Sequence, residues 1–211
     1  MYKRQLSDYG IATPRLEVAE EQDGVLAAAG RIGFPIALKT AAASIRHKSD
    51  VAGVVLGLAD VTALTTTYAD MAARLGGRVI VAAMAEKGTE IAFGLVHDPQ
   101  FGPFVMIAAG GIWIEALNDR TVSLAPVTVE AAHDMISGLR ISRLLEGGRG
   151  QKPADRDALA LAFARFSMIA ADLGDLIDEM DVNPLFVGPG GCCAVDALLI
   201  ARTHPIAAKT R

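Results

Sequence analysis

Apolar positions recur along this chain with two different periods, and the places where the period changes mark out its elements. Arg15–Ala19 reads as a strand, Glu21–Ile32 as a helix, and Pro35-Ile36-Ala37-Leu38-Lys39 as a buried strand entered from Gly33. Val51–Leu58 is apolar but interrupted by glycine, Val61–Leu75 has helical spacing, and Val79-Ile80-Val81 forms a strand ending near Met84. The texture then turns sheet-like, with strands expected at Glu90–Val96, Phe104–Ala108 and Ile112–Leu117, punctuated by His97-Asp98-Pro99 and Gly110-Gly111. Two helices follow, Thr128–Ser137 and Asp155–Leu173. The second places Leu159, Phe163, Phe166, Ala170 and Leu173 on one stripe, which is core. The expected organisation is a mixed lobe over residues 1–78, a sheet-rich lobe over 79–202 and a tail over 203–211, an α+β chain overall.

Near the end of the chain, Asp181-Val182-Asn183-Pro184-Leu185-Phe186-Val187 and Cys192-Cys193-Ala194-Val195-Asp196-Ala197 flank Gly188-Pro189-Gly190-Gly191. This reads as two strands joined by a four-residue turn. A symmetric register sets Val187 opposite Cys192 and Asn183 opposite Asp196. Period two puts Asp181 on the face of Asn183, so three oxygen donors converge, while Val182, Pro184, Phe186, Cys193, Val195, Ala197 and Leu199 form an apolar face. Clustered carboxylates repel unless a cation or proton relieves them, and hard oxygen donors suit Mg²⁺ shared with a phosphate chain. Spacing alone equally allows an exposed hairpin with solvated acids.

Composition narrows the surroundings. The chain has 211 residues, enough for one large domain or two small lobes with a real core, and 52% of them are hydrophobic. The longest apolar run, Phe104–Ile114, is closed by Glu115 far short of a membrane span, and the first residues lack a secretory pattern, so a soluble protein is expected. The only cysteines, Cys192 and Cys193, are adjacent and point to opposite faces, which argues against a bridge or a zinc site and is consistent with reduced thiols in the cytoplasm. A net charge of −4 with 5% aromatics argues against a nucleic-acid surface.

Individual residues add candidate chemistry. Lys39 closes an apolar run, so its ammonium either emerges at the strand end, which the pattern alone favours, or meets an anion. Ser44-Ile45-Arg46-His47-Lys48-Ser49-Asp50 gathers an imidazole, cations and hydroxyls beside a strand, suited to phosphate chemistry or to a solvated turn. Glu90 and Glu115 stand at strand ends near glycine turns, where a ribose, a metal or solvent could meet them. Gly147-Gly148-Arg149-Gly150 lacks the Walker arrangement, and no GxGxxG, HExxH or GxSxG is present.

Together, Gly33-Phe34-Pro35 with Leu38-Lys39, His47-Lys48-Ser49-Asp50-Val51, Asp98-Pro99-Gln100-Phe101-Gly102-Pro103, Gly110-Gly111-Ile112, Arg149-Gly150 and Asp181-Val182-Asn183-Pro184-Leu185 with Asp196-Ala197 resemble a known pattern. It is that of the ATP-grasp domain of the NDP-forming acyl-CoA synthetases, as in ADP-forming acetyl-CoA synthetase, with a distant similarity to the succinyl-CoA synthetase beta subunit. The resemblance runs from Tyr9 to about Ile200. It implies an ATP-grasp fold in which two α+β lobes clasp ATP or ADP, with Lys39 on phosphate oxygens and Asn183, Asp196 and Asp181 around Mg²⁺. It further implies Lys48, Ser49, Met84, Glu90, Gly110, Gly111, Glu115 and Arg149 as nucleotide contacts, and His47 as a candidate phosphoryl relay. The implied reaction interconverts acyl-CoA, phosphate and ADP with acid, CoA and ATP. A phosphohistidine on a CoA-binding partner subunit carries the phosphoryl group, so a hetero-oligomer is expected.

Departures from the family pattern point to weakened activity. Ala82-Ala83 precede Met84, Ala108-Ala109 precede Gly110, Ala42-Ala43-Ser44 replaces Ser-Pro-Asp, Ala52-Gly53 replaces a double glycine, and Ser123 stands where the family has an arginine. Two alternatives therefore stay open, a non-catalytic ATP-binding sensor module and a stand-alone ATP-grasp carboxylate ligase working through an acyl-phosphate.

Overall fold

The computed structural model describes residues 3–45, 48–111, 118–148 and 152–202. Its contacts divide the chain into two compact units, one of Pro14–Ala85 and one of Met1–Thr13 with Glu86–Arg211.

The Pro14–Ala85 unit is built on four antiparallel strands, β1 (Leu16–Ala19), β2 (Ile36–Thr40), β3 (Val54–Leu58) and β4 (Val79–Ala83), in the order β1-β4-β2-β3. Relative to a division after Arg78, β4 lies within this unit because it pairs with both β1 and β2. Helices α2 (Gln22–Ile32) and α3 (Val61–Leu75) bury Val25, Ala28, Ala29, Leu64, Tyr68 and Met71 in one core with Ile36, Leu38, Val79 and Val81. α3 begins where Asp60 accepts the Ala63 amide at 2.8 Å, satisfying one of the donors that a helix start leaves open. It ends at Gly76, whose φ of 90° suits a residue without a Cβ.

The other unit carries a sheet in the order β10-β8-β5-β6-β7, with β9 also on β8. Its strands are β5 (Thr89–Asp98), β6 (Gly102–Ala109), β7 (Arg120–Leu124), β8 (Ile177–Gly188), β9 (Gly191–Ala194) and β10 (Ala197–Ala201). Helices α4 (Val129–Ser137) and α6 (Arg156–Leu173) cover one face, with the short α5 (Ser142–Leu145) between them. The expected stripe of α6 is the core: Leu159, Phe163, Phe166 and Ala170 are fully buried, and Phe93 of β5 packs its ring 5.1 Å from Phe163 and 5.4 Å from Phe166. Burying side chains of this size contributes about 1.5–3 kcal/mol each. The short α1 (Lys3–Asp8) adds Leu6, and the turn after it adds Ile11, to the same core. Arg165 donates to the Gly10 carbonyl at 2.7 Å and the Ala194 amide to Ala12 at 2.8 Å, which explains why the first thirteen residues belong here.

β7 was not foreseen, and the strand expected at Ile112–Leu117 lies outside the described residues. The Asp119 carboxylate accepts the amides of Arg140 and Ile141 at 2.9 and 2.8 Å, tying the start of β7 to the segment before α5.

Candidate functional site

The hairpin register is the one expected from symmetry. Val187 pairs with Cys192 and Leu185 with Ala194 on one side, and Val182 pairs with Ala197 and Asp181 with Leu198 on the other. Asn183 and Pro184 therefore stand opposite Asp196 and Val195, and the Val195 amide donates to the Pro184 carbonyl at 2.9 Å. The turn is tighter than expected, two residues (Pro189-Gly190) closed by the Gly188–Gly191 pair.

The apolar face differs from expectation beyond Val182. Met180 and Val182 point into the core, but so do Leu185 and Val187, while Pro184 and Phe186 are only half-buried. The cause is a bulge against β5: Ile91 pairs with Leu185 and Phe93 with Val182, so Ala92 alone faces Asn183 and Pro184. The opposite strand changes phase at the same level, burying Ala194 and then packing Ala197 and Leu199 inward, with Val195 and Asp196 skipped. Of the expected apolar face, Pro184, Phe186, Cys193 and Val195 thus leave the core. The expected polar trio keeps its place: Asp181, Asn183 and Asp196 share the outward side.

Around Asn183 the structure gathers three more of the expected residues. The Gly111 amide donates to Asn183 Oδ1 at 3.0 Å, and the Gly110 amide to the Glu90 carbonyl at 2.8 Å. Gly111 has φ 72°, and a Cβ there would run into Glu90 Oε2 and stand 2.9 Å from its Cδ, so the glycine backbone lies directly against this carboxylate. Asp196 Oδ1 accepts the Ala197 amide at 3.0 Å. A carboxamide oxygen has two lone pairs, so accepting from Gly111 leaves Asn183 one for a cation. Among the described residues no group of three or more His, Cys, Asp or Glu could hold a metal ion alone. A carboxamide with one or two carboxylates instead fits Mg²⁺, which keeps several waters and takes its remaining ligands from phosphates.

The other expected residues lie in the Pro14–Ala85 unit or outside the described residues. Lys39 is buried, 5% exposed, on an interior strand between Val54 and Ile80. This corrects the pattern-based preference for solvent: every position of β2 is buried, so the strand end gives the ammonium no exit. Lys48 and Ser49 open a single 3-10 turn (Lys48–Val51) that folds back on the end of β2, where the Thr40 amide donates to Gly53 and the Gly53 amide to Lys48, both at 2.8 Å. Lys39 and this turn are thereby neighbours through Thr40. Met84 is half-buried just after β4. His47, Glu115 and Arg149 lie outside the described residues.

Sequence reasoning missed several residues near the site. Arg120 lies on β7 opposite Ala108, which pairs with Ala92, so this exposed guanidinium shares the outward face of Asn183. Ser123, the position compared with the family's arginine, pairs with Val105 and faces the helix side, so a cation there would not share Asn183's face. The alternation of Arg120-Thr121-Val122-Ser123-Leu124 was the available signal. Glu86, Lys87, Phe186 and Cys193 line a small cavity, and a wider cleft of about 880 Å³ takes in Lys87, Lys152, Gly147, Gly148 and Thr89. Cys192 also borders the small cavity, its thiol donates to the Ala158 carbonyl at 3.5 Å, and burial with the neighbouring Cys193 and Asp155 pushes that thiol up to about 11.

Two α+β units, with a buried lysine on an interior strand of one and an amide–carboxylate pair on an antiparallel sheet of the other, define an ATP-grasp architecture. The chain belongs to the ATP-grasp domain family, whose model matches residues 2–200. It is 35% identical over 207 residues to the acetate–CoA ligase [ADP-forming] I subunit beta of Pyrococcus furiosus, covering 94% of this chain and 88% of that one. It is also 35% identical over 203 residues to acetate–CoA ligase [ADP-forming] I of Archaeoglobus fulgidus, covering 92% of this chain but only 29% of that longer protein. Among solved structures it is similar to acetyl-coenzyme A synthetase 1 of Candidatus Korarchaeum cryptofilum in complex with coenzyme A and Mg-AMPPCP, in which a phosphohistidine segment points towards the nucleotide binding site. That match has a TM-score of 0.84 and 34% identity, over 95% of this chain and 90% of that one. Its homologues therefore include ADP-forming acyl-CoA ligases and a beta subunit of one.

Proposed function

We propose that this chain is the nucleotide-binding part of an NDP-forming acyl-CoA synthetase and works with a CoA-binding partner in a hetero-oligomer. The observation that carries the reading is the opposition of Asn183 and Asp196, braced by Gly111 and Glu90. Asn183, Asp196 and Asp181 would hold Mg²⁺, which screens phosphate charge when bound. Gly111 orients the carboxamide through its amide, and the buried Lys39 with Lys48 and Ser49 supplies cationic and hydroxyl donors for phosphate oxygens. Glu90 would accept a ribose hydroxyl, Met84 would contact the base, and His47, Glu115 and Arg149 keep the roles that the family resemblance implies.

In the ATP-forming direction the partner's phosphohistidine, protonated on its other ring nitrogen, loses its P–N bond as the neutral imidazole of His47, the relay, forms a new one, and the phosphoryl group then passes in the same way from His47 to an ADP β-phosphate oxygen. Neutral imidazole leaves and ATP results. The experiment mixes the chain and its CoA-binding partner with acyl-CoA, ADP, Mg²⁺ and phosphate. ATP should form, and Asp196→Asn should lower kcat at least tenfold. No ATP from any short-chain acyl-CoA would sink the proposal.

One observation favours a second reading, a module that binds ATP without chemistry. Ala52 occupies a left-handed φ of 49° in the turn beside Lys48, a position easier for glycine. Calorimetry showing Mg²⁺-dependent ATP binding, with no phosphoryl transfer in the presence of the partner, would select it.

A further inference from the structure

On β7 the usual amphipathic rule is inverted. Thr121 and Ser123 face the helix layer, where Thr121 donates to the Met135 carbonyl, while Val122 and Leu124 face outward, 55% and 47% exposed. They are not scattered. Pairing extends them into two rows across the outward face, Leu124–Phe104–Val96–Glu179 and Val122–Met106–Gly94–Asp181. Phe101, 65% exposed, packs edge-on against Phe104 at 6.4 Å, so apolar side chains from three strands and the β5–β6 turn form one patch. The row that holds Arg120, Ala108, Ala92 and Asn183 follows immediately. Rows on one face are two residues apart, about 7 Å, and neighbouring strands about 5 Å, so the patch begins at Met106 about 12 Å from Asn183 and ends at Leu124 about 20 Å from it.

We infer that this patch is the docking surface for the phosphohistidine-bearing segment of the CoA-binding partner, an inference that rests on the function proposed above. Three observations select that occupant. The patch is continuous with the row that would hold the nucleotide's metal, and about six residues of extended chain seated on it would bring a side chain from its far edge to Asn183. Arg120 stands at the edge of that row, where a guanidinium can meet an arriving phosphoryl group. About six side chains are also too few for a permanent subunit interface, which buries more than about 1,000 Å², but suit a segment that must dock and leave. The solved relative has such a segment directed to its nucleotide site.

The test combines Val122→Lys with Leu124→Lys in the complex of chain and partner. It follows single-turnover ATP formation from phosphorylated partner and ADP, alongside Mg-ATP binding by calorimetry and subunit association by sedimentation. Both positions are exposed on an edge strand, so the variant should fold, and Val122→Thr with Leu124→Thr gives a milder second version. Transfer should fall at least tenfold with the lysines and several-fold with the threonines, with nucleotide affinity and association unchanged. Leu161→Lys, on the exposed side of α6 behind the sheet, should leave transfer as it is.

Transfer within twofold of wild type would overturn the docking surface and leave the proposed function standing. Dissociation of the complex would make the patch the permanent subunit interface, and a changed self-association of the isolated chain would make it a contact between two copies. Either result overturns the inference. No transfer by the wild-type pair would sink the proposed function and this inference with it.

Discussion

Two adjacent glycines should respond very differently to the same added methyl group. At Gly110 a Cβ would meet only backbone, the Ile91 carbonyl carbon, oxygen and nitrogen at 2.6, 2.7 and 2.8 Å, so β5 and the end of β6 must part. Overpacking of this kind costs about 1–3 kcal/mol, and losing the Gly110–Glu90 hydrogen bond adds about 1 kcal/mol. At Gly111 the obstacle is the Glu90 carboxylate, the far end of a flexible chain that can swing away. What remains is the left-handed φ of 72°, which costs an L-residue about 1–2 kcal/mol. For a chain of this size that is a fall of about 2–8 °C in Tm. Melting followed by circular dichroism should therefore rank wild type above Gly111→Ala above Gly110→Ala. In a Glu90→Ala background, Gly111→Ala should still cost about 1–2 kcal/mol, because the φ penalty survives removal of the carboxylate. Gly111→Ala should also weaken Mg-ATP binding more than its stability loss explains, since it displaces Glu90 and disturbs the amide that holds Asn183. A Gly111→Ala protein that melts with wild type, or below Gly110→Ala, would refute this reasoning.

Two further outcomes follow from local geometry. Ala52→Gly relieves the left-handed alanine, and after the extra chain entropy of glycine it should stabilise the Pro14–Ala85 unit by about 0.5–1 kcal/mol in urea melts; an unchanged midpoint would mean that the turn holds no strain. Asp98 accepts the amides of Phe101 and Gln100 at 2.9 and 2.7 Å, which hold its carboxyl below the ordinary 3.8. Its contribution is complete above 3.8 and is lost as pH falls through the lower folded value, so Asp98→Asn should flatten the loss of Tm below about pH 4, and parallel acid limbs in variant and wild type would count against it.

What the sequence disclosed followed from how regular each element is. α3 and the buried stripe of α6 were legible because long helices repeat their period many times. The facing of Asn183 and Asp196 was legible because a short turn between two strands leaves little freedom of register. The core face beyond Val182 was not, because period two was carried through Pro184, and a bulge depends on the neighbouring β5, which local sequence does not encode. β7 was missed for a related reason: its apolar residues point away from the core, so alternation gave no hint of which side would be covered. The burial of Lys39 likewise depends on its becoming an interior strand, a property of strand order rather than of the run that it closes.

The matched phase change at residues 183–184 and 195–196 limits how this site can evolve. Deleting or inserting one residue in either strand alone would exchange inside for outside along the rest of the hairpin, carrying an acid or amide into the apolar interior. Length variation is therefore closed to this segment unless both strands change together. Drift can proceed one side chain at a time, altering which groups stand at the two positions while the positions themselves stay put.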